Sequence, residues 1–279
     1  MRTGTAVQTY RNLIDGEWTE SASGETFASV NPADTEDIVG RFQASTAEDV
    51  ERAMEAAERA FPLWRATAPT RRAEILYRAA DLLEAGLDQY AEELTREEGK
   101  TLAASRMEVR RSAQTLRYYA SEGLNIAGET LPSDDGSTFI YTKTEPLGVI
   151  TVITPWNFPI SIPARKIAPA LALGNTVVFK PASDTPLIGY RLAEALHRAG
   201  LPPGVLNFVT GSASRLGTPL VTHPAVRGVT FTGSTAAGEQ IHRAVRLSTR
   251  VQLELGGKNP LIVLEDADLD LAVALAIKG

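Results

Sequence analysis

The second half of the chain alternates short apolar runs with longer helical patterns, and this alternation limits the folds open to it. Four runs rich in β-branched residues lie at Gly148–Thr154, Thr176–Lys180, Val205–Thr210 and Val226–Thr232. Their spacing is roughly 22 to 30 residues, the length of a βαβ crossover. Runs this continuously apolar are typical of a parallel sheet buried on both faces. The pattern therefore predicts a doubly wound, Rossmann-like α/β fold with its ligand at the carboxyl ends of the strands.

Other elements are predicted around this alternation. Asp15-Gly16 lies between two short apolar pieces and indicates a hairpin. Ser45-Thr46, followed by Glu48 and Asp49, is typical of a helix start, which gives the fold a helical N-terminal region. The remaining predicted helices are Pro69–Leu83, Leu87–Glu98, Thr101–Ile126, Ile162–Leu173, Pro186–Ala199, Ser214–Thr222 and Ala236–Arg246. The remaining predicted strands are Thr138–Thr144, Val251–Leu255 and Leu261–Leu264.

Composition excludes several classes of function. The chain contains no cysteine, which rules out disulfides, thiolate metal sites and a thiol nucleophile within these residues. Its three histidines are far apart in sequence, so we expect no metal site. A net charge of −6 without a basic block argues against nucleic acid as a partner. No stretch approaches the roughly eighteen apolar residues of a membrane span, and no signal peptide is evident, so we expect no membrane association and a cytoplasmic location.

The segments that follow the four runs are rich in proline, glycine, serine and threonine. They read PWNFP, KPASDTP, GSASRLG and GSTAAG. Such loops expose backbone N–H groups at helix N-termini, where a pyrophosphate can bind. There is no strict GxGxxG, and each loop alone is equally well explained as an ordinary turn between a strand and a helix.

In order and at these intervals, the motifs ITPWNFP, KPAS-x-TP, VTG-x5-G, FTGS and LELGGKNP resemble the aldehyde dehydrogenase superfamily. The resemblance runs from about Leu13 to the last residue and is greatest to the succinic and 2-oxoglutaric semialdehyde dehydrogenases. It implies oxidation of a small-molecule aldehyde to the acid with NAD or NADP. It also implies four parts: a helical part of the cofactor-binding domain (1–137), an oligomerisation-arm strand (138–147), a Rossmann-like NAD(P)-binding part (148–257) and the start of a catalytic domain (258–279).

The resemblance assigns chemistry to two residues. Asn157 matches the asparagine whose amide faces the developing oxyanion, a role that suits a neutral donor in a stiff loop. The alternative is an asparagine that satisfies its own turn. Glu254 matches the general base that activates water, and its place between two leucines predicts a buried carboxyl with a raised pKa. The alternative is an outward-facing strand glutamate.

The resemblance also implies the residues that contact the cofactor. Lys180 matches the lysine that reaches the adenosine ribose, Gly217 a helix-opening glycine, and Gly233-Ser234 the turn at the pyrophosphate. The full set is Ile153, Thr154, Pro155, Trp156, Lys180, Ser183, Gly211, Gly217, Phe231, Gly233, Ser234, Leu255 and Gly256.

Two positions bear on specificity. Ser183 stands where NAD-preferring relatives carry a glutamate, so its neutral side chain favours the hypothesis of NADP use or tolerance of both cofactors. Arg165 stands where semialdehyde-specific relatives hold the substrate's distal carboxylate, a role that suits a planar, permanently charged group. The alternative for Arg165 is an ordinary arginine on a helix surface.

The family mechanism needs a cysteine nucleophile, which follows the LELGG glutamate in relatives and does not occur in these 279 residues. We therefore expect an N-terminal fragment that is inert and prone to aggregate by itself. A split enzyme completed by a second polypeptide and a non-catalytic dinucleotide-binding or interaction module are the alternatives. The intact enzyme is expected to be a homodimer or homotetramer.

Overall fold

A computed structural model describes residues 7–278, and over this range the chain forms eleven strands and nine helices. The strands are β1 (Asn12–Ile14), β2 (Glu17–Thr19), β3 (Thr26–Asn31), β4 (Asp34–Gln43), β5 (Thr130–Leu131), β6 (Ile140–Tyr141), β7 (Val149–Ile153), β8 (Thr176–Lys180), β9 (Leu206–Phe208), β10 (Val226–Thr232) and β11 (Arg250–Glu254). The helices are α1 (Ala47–Ala66), α2 (Pro69–Ala85), α3 (Leu87–Glu98), α4 (Leu102–Glu122), α5 (Ser161–Ala172), α6 (Pro186–Arg198), α7 (Ala213–Thr222), α8 (Thr235–Ala244) and α9 (Leu269–Lys278).

The central sheet has the strand order β11-β10-β7-β8-β9-β1-β2 among the described residues. Strands β7 to β11 are parallel, and the β1–β2 hairpin adds an antiparallel edge next to β9. From β7 the chain crosses over to β8 and then to β9 on one side, whereas β10 lies on the other side of β7. The strand order therefore reverses between β7 and β10, and ligands bind at such a switch point in open α/β sheets. The predicted doubly wound α/β fold is confirmed.

Two apolar cores cover the two faces of this sheet. One packs α2 to α6 against one face, and the other packs α1 and α7 against the opposite face. All five residues of β8 are buried, as expected for a strand covered on both sides. The small residues of α1 allow the chain before β9 to approach the helix closely. A Cβ at Gly204 would lie only 2.6 Å from the carbonyl oxygen of Ala56 in α1. The contact of α1 with the chain before β9 requires this glycine, whose φ is +75°.

Local signals in the first third are confirmed. Asp15 and Gly16 both adopt positive φ and form the turn between β1 and β2. The backbone N–H of Thr46 donates to the Asp49 carboxylate at 2.9 Å, which closes the start of α1. Gly99 ends α3 with a φ of 94°.

Two predicted strands differ from the structure. The segment Leu261–Leu264 is exposed and has no regular structure, because no neighbouring strand among residues 7–278 accepts its hydrogen bonds. The predicted strand Thr138–Thr144 shrinks to β6, which pairs only with β5 in a small exposed ribbon. The apolar side chains of α9 are exposed, as expected for a helix without a covering partner.

Candidate active site

A cavity of about 280 Å³ opens at the switch point, at the carboxyl ends of β7, β8 and β10. Four of the predicted cofactor residues line it: Ile153, Lys180, Gly217 and Phe231. Helices α7 and α8 form its outer wall. Residues from five separate segments of the chain therefore meet in one concavity where the fold favours ligand binding.

Lys180 ends β8 with its ammonium group buried. The Nζ atom donates to the carbonyl oxygen of Pro181 at 2.8 Å, its one hydrogen-bond partner among residues 7–278, although the group has three donors. Burial lowers the pKa of Lys180 to about 8, while the carboxylate of Asp184 acts in the opposite direction. Thr154, at the end of the neighbouring strand, has a buried hydroxyl without a hydrogen-bond partner among the described residues. A polar ligand at this edge would satisfy both groups.

The two predicted glycines of the β9–α7 segment have different surroundings. Gly211 adopts a φ of +147°, and a Cβ there would contact Leu216 at 3.0 Å. Gly217 lies in the second turn of α7 rather than at the helix opening, which corrects its predicted position. A Cβ at Gly217 would meet nothing within 4 Å, so the glycine leaves open space in the cavity wall.

The β10–α8 turn places a helix N-terminus beside the cavity. Ser234 is the N-cap of α8 and accepts a 3.3 Å hydrogen bond from the backbone N–H of Ala237. The N–H of Gly233 donates to the carbonyl oxygen of Glu254, which ties this turn to the end of β11. Ser234, Thr235 and Ala236, at the start of α8, are exposed, as an anion-binding helix N-terminus must be.

Ser183 lies in a separate depression of about 370 Å³. Its hydroxyl donates to the carbonyl oxygen of Gly211 at 2.9 Å, which joins the β8–α6 loop to the β9–α7 segment. Arg215 lines the same depression and forms an exposed 3.1 Å ion pair with Glu25. Sequence reasoning missed Arg215, because nothing local distinguishes it from other surface arginines.

Asn157 lies in the loop between β7 and α5 and lines a third cavity, of about 650 Å³, between α4 and α5. Its side chain is exposed and forms no hydrogen bond with residues 7–278. The alternative of an asparagine that satisfies its own turn is therefore wrong. A free amide at the edge of a cavity suits a hydrogen-bond donor to a ligand.

Arg165 lines the same cavity as Asn157, together with Arg111 from α4, which sequence reasoning missed. Both arginines are exposed, and neither guanidinium has a partner in the described chain. Met107, Phe158 and Ile162 supply apolar walls. The cavity therefore combines apolar walls with two arginines that have no partner in the described chain, and its lining also includes Lys100 paired with Glu98 and Glu108.

Glu254 is exposed, so the prediction of a buried carboxyl is wrong. Strand β11 is an edge strand of the described sheet, with Val251 and Leu253 partly covered and Glu254 turned outward, as the alternative interpretation had it. The buried titratable group near this point is instead Lys166 of α5. Burial lowers the pKa of Lys166 to about 8, and the charge of Glu254 acts in the opposite direction.

The other predicted cofactor residues do not line the switch-point cavity. Seven of them lie within three residues of a lining residue along the chain: Thr154, Pro155, Trp156, Ser183, Gly211, Gly233 and Ser234. Leu255 and Gly256 are exposed beyond β11. Across the described part of the chain, no cluster of three or more histidine, aspartate or glutamate residues could hold a metal ion. In the same range no helix has the length and apolar character needed to cross a membrane.

The order of these motifs and this fold place the chain in a known protein family. The aldehyde dehydrogenase family profile matches residues 18–279, and the chain belongs to this family. It is 48% identical over 276 residues to an alpha-ketoglutaric semialdehyde dehydrogenase of Bacillus subtilis, covering 99% of this chain and 57% of the relative. It is 43% identical to the succinate-semialdehyde dehydrogenase [NADP(+)] of Escherichia coli, covering 95% of this chain and 56% of the relative.

The fold of the chain also matches a solved structure of a related enzyme. The NADP-dependent glyceraldehyde-3-phosphate dehydrogenase of Bacillus halodurans, complexed with NADP, matches with a TM-score of 0.93 and 40% identity. The match covers 97% of this chain and 58% of that one. The chain thus spans little more than half the length of the relatives that it matches.

Proposed function

We propose that this chain forms the nicotinamide-cofactor site of an aldehyde dehydrogenase and supplies the oxyanion donor next to it. The observation that carries the proposal is the meeting of Ile153, Lys180, Gly217 and Phe231 in one cavity at the switch point. Asn157 follows the central strand β7 by four residues, so the cofactor cavity and the oxyanion donor share one strand end. The relatives named for NADP support the same ligand class.

The residues present fit NAD or NADP. Lys180 offers spare hydrogen-bond donors to a ribose, Gly217 leaves room beside it, and the N-terminus of α8 faces a site for phosphate. Ser183 carries no charge, and Arg215 lies in the same depression in an ion pair with Glu25, so a 2′-phosphate there would meet an arginine and no carboxylate from position 183. The cofactor, when bound, accepts hydride from the substrate.

The protein residues act on the substrate's oxygen and on water. The Asn157 amide donates to the oxygen that gains negative charge during attack on the aldehyde. Glu254 accepts a proton from the water that releases the acid. Its exposure in this chain leaves it open to contact from residues outside the chain. The nucleophilic thiol must come from outside these residues, because they contain no cysteine.

We propose a carboxylate-bearing semialdehyde as the substrate. Arg165 and Asn157 line the same cavity, so an arginine-held carboxylate and an aldehyde oxygen fit its two sides. Calorimetric titration with succinate tests this point, with neutral succinamide as the matched ligand. Arg165→Met should weaken succinate binding about tenfold, or about 1.4 kcal/mol, and leave succinamide unchanged. Equal effects on the two ligands would contradict the assignment.

Titration of the chain with NADPH and NADH, followed by nucleotide fluorescence, tests the cofactor site. Saturable binding is expected, and Lys180→Met should weaken it about tenfold through loss of ribose hydrogen bonds. Lys143→Met is the matched control, because Lys143 is exposed and does not line the cavity. An absence of saturable binding in a folded sample would overturn the proposal.

The part boundaries at residues 137, 147 and 257, the cytoplasmic location and assembly of an intact enzyme into a homodimer or homotetramer stay predictions. So does the expectation that the isolated chain aggregates. The exposed apolar residues of α9 and of the segment Leu261–Leu264 support that expectation, since large uncovered apolar patches promote association.

A further inference from the structure

Two residues that no sequence motif identified, Lys100 and Glu108, contact the loop that carries Asn157. Lys100 follows the end of α3, and Glu108 lies in the second turn of α4. Their side chains form a 2.6 Å ion pair in which the carboxylate is almost fully buried and the ammonium group is mostly covered. A buried pair of this kind is costly to remove from water, so its position calls for an explanation.

The Glu108 carboxylate closes the N-terminus of α5. Its Oε1 atom accepts from the backbone N–H groups of Ile160, at 3.2 Å, and Ser161, at 3.1 Å. Ile160, the N-cap residue, has no side chain able to accept these bonds, so Glu108 takes the place of a local cap. This contact fixes where α5 begins, directly after the PWNFP loop.

The Lys100 ammonium group reaches the preceding residues of the same loop. Its Nζ atom donates to the carbonyl oxygen of Asn157 at 2.7 Å and lies 4.4 Å from the ring centroid of Phe158. The ion pair therefore spans the loop, with Glu108 at its helix end and Lys100 at Asn157. A helix cap alone would need only Glu108; Lys100 adds a contact to the one residue of the loop proposed to donate from its amide.

We propose that Lys100 and Glu108 are positioning residues that immobilise the backbone of Asn157, so that its amide projects into the cavity lined by Arg165 in one orientation. Asn157 has no hydrogen bond of its own to orient its side chain within the described residues. Two contacts that lock its carbonyl and the following helix supply the rigidity that an oxyanion donor requires. The inference rests on the proposed function for the role of Asn157. The contacts of Lys100 and Glu108 with the loop, called the clamp below, are testable without turnover.

Backbone 15N relaxation of the deuterated chain measures the clamp. In the wild type the amides of Asn157 and Phe158 should have order parameters near those of rigid backbone, about 0.85, and Lys100→Met should lower them below about 0.6. Exchange of the Ile160 and Ser161 amides should change little in Lys100→Met, because Glu108 still accepts from them. Glu108→Ala should affect both groups of amides.

Two conservative variants separate the clamp from a general loss of structure. Lys100→Arg keeps the charge and should retain the order of Asn157. Glu108→Gln keeps an acceptor for the helix cap but loses the 2.6 Å ion pair, and it should loosen Asn157 less than Lys100→Met does, because Glu98 still lies 3.7 Å from the Lys100 ammonium group. Order parameters at Asn157 that remain rigid in both Lys100→Met and Glu108→Gln would overturn the proposal. Should Lys100→Met fail to fold, the double variant Glu98→Gln/Glu108→Gln removes both carboxylate partners of Lys100 and decides the question.

NADPH titration of the same variants distinguishes the two proposals. Lys100 does not line the switch-point cavity, so its variants should bind NADPH as the wild type does. Loosening of Asn157 with unchanged NADPH affinity supports the clamp. Failure of the wild type to bind NADPH would contradict the proposed function, while the relaxation data would still decide whether Lys100 and Glu108 hold the loop.

Discussion

The ammonium group of Lys166 donates a 2.8 Å hydrogen bond to the hydroxyl of Thr230, which in turn donates at 2.6 Å to the side chain of Gln252. This chain of polar groups runs from α5 across β10 to β11. It buries a lysine in the packing layer between a helix and the sheet. A lysine in such a place should affect stability in a pH-dependent way.

Lys166→Met should flatten the pH dependence of stability at alkaline pH. Burial places the pKa of Lys166 at about 8 in the folded chain, against 10.5 when exposed. Between these values the unfolded chain holds a proton that the folded chain has released, so the free energy of unfolding rises with pH. One such group contributes at most about 1.4 kcal/mol per pH unit. Urea unfolding at pH 8 to about 10 measures the slope.

Lys180 contributes a slope of the same sign, so Lys166→Met should reduce the slope and not abolish it. Lys143→Met, at an exposed position, should leave it unchanged. An unaltered slope in Lys166→Met would show that the ammonium group is solvated in the folded chain.

Glu97→Gln should remove a pH dependence of stability that has the opposite sign and lies at lower pH than that of Lys166. The fully buried Glu97 carboxyl caps α6 through the N–H groups of Leu187, at 2.7 Å, and Ile188, at 3.0 Å. Burial raises its pKa to about 8, against these hydrogen bonds, which act to lower it. The folded chain then binds the extra proton between pH 4.5 and about 8, and its stability falls as the pH rises through that range.

The glutamine variant cannot ionise and still offers an oxygen to the Leu187 N–H, so its stability should not fall over that range. Glu97→Ala is the informative comparison, because it leaves the helix N–H groups unsatisfied and should be about 1 to 3 kcal/mol less stable than Glu97→Gln at every pH. A wild type and Glu97→Gln that respond identically to pH would contradict the raised pKa.

Ser183→Glu should shift cofactor preference from NADP toward NAD. The new carboxylate would lie in the depression that Ser183 shares with Arg215 and would repel a 2′-phosphate while accepting ribose hydroxyls. The ratio of NADPH to NADH affinity should fall by about tenfold or more, measured by fluorescence titration. Ser137→Glu, in an exposed turn, controls for added charge. A ratio unchanged by Ser183→Glu would place the 2′-position elsewhere.

Gly217→Ala should stabilise the fold and weaken nucleotide binding. Gly217 lies inside α7, and an added methyl group would have no neighbour within 4 Å, so alanine meets no clash and gains about 0.8 to 1 kcal/mol of helix propensity. The same methyl group would project toward the cavity lined by Lys180 and Phe231. Thermal unfolding and NADPH titration together test the prediction. Stabilisation without weaker binding would mean that the cofactor does not approach Gly217.

The sequence by itself determined the elements whose signals are local. Strand β8 and helix α3 have the predicted bounds, because a continuous β-branched run and a helical pattern ended by Gly99 are decided by neighbouring residues. The family resemblance implied Ile153, Lys180, Gly217 and Phe231 as cofactor residues, and the structure brings these four to one cavity where parallel strands end.

Only the tertiary structure decided the features that depend on distant partners. Leu261–Leu264 has a strand-like sequence but no neighbouring strand in the described chain, and Glu254 lies between leucines but on an edge strand of the described sheet. The contacts of Lys100 with Asn157 and of Lys166 with Thr230 join residues 57 and 64 positions apart. Hydrophobic periodicity reports which face of an element turns inward, whereas burial and hydrogen-bond partners depend on what the rest of the fold places against that face.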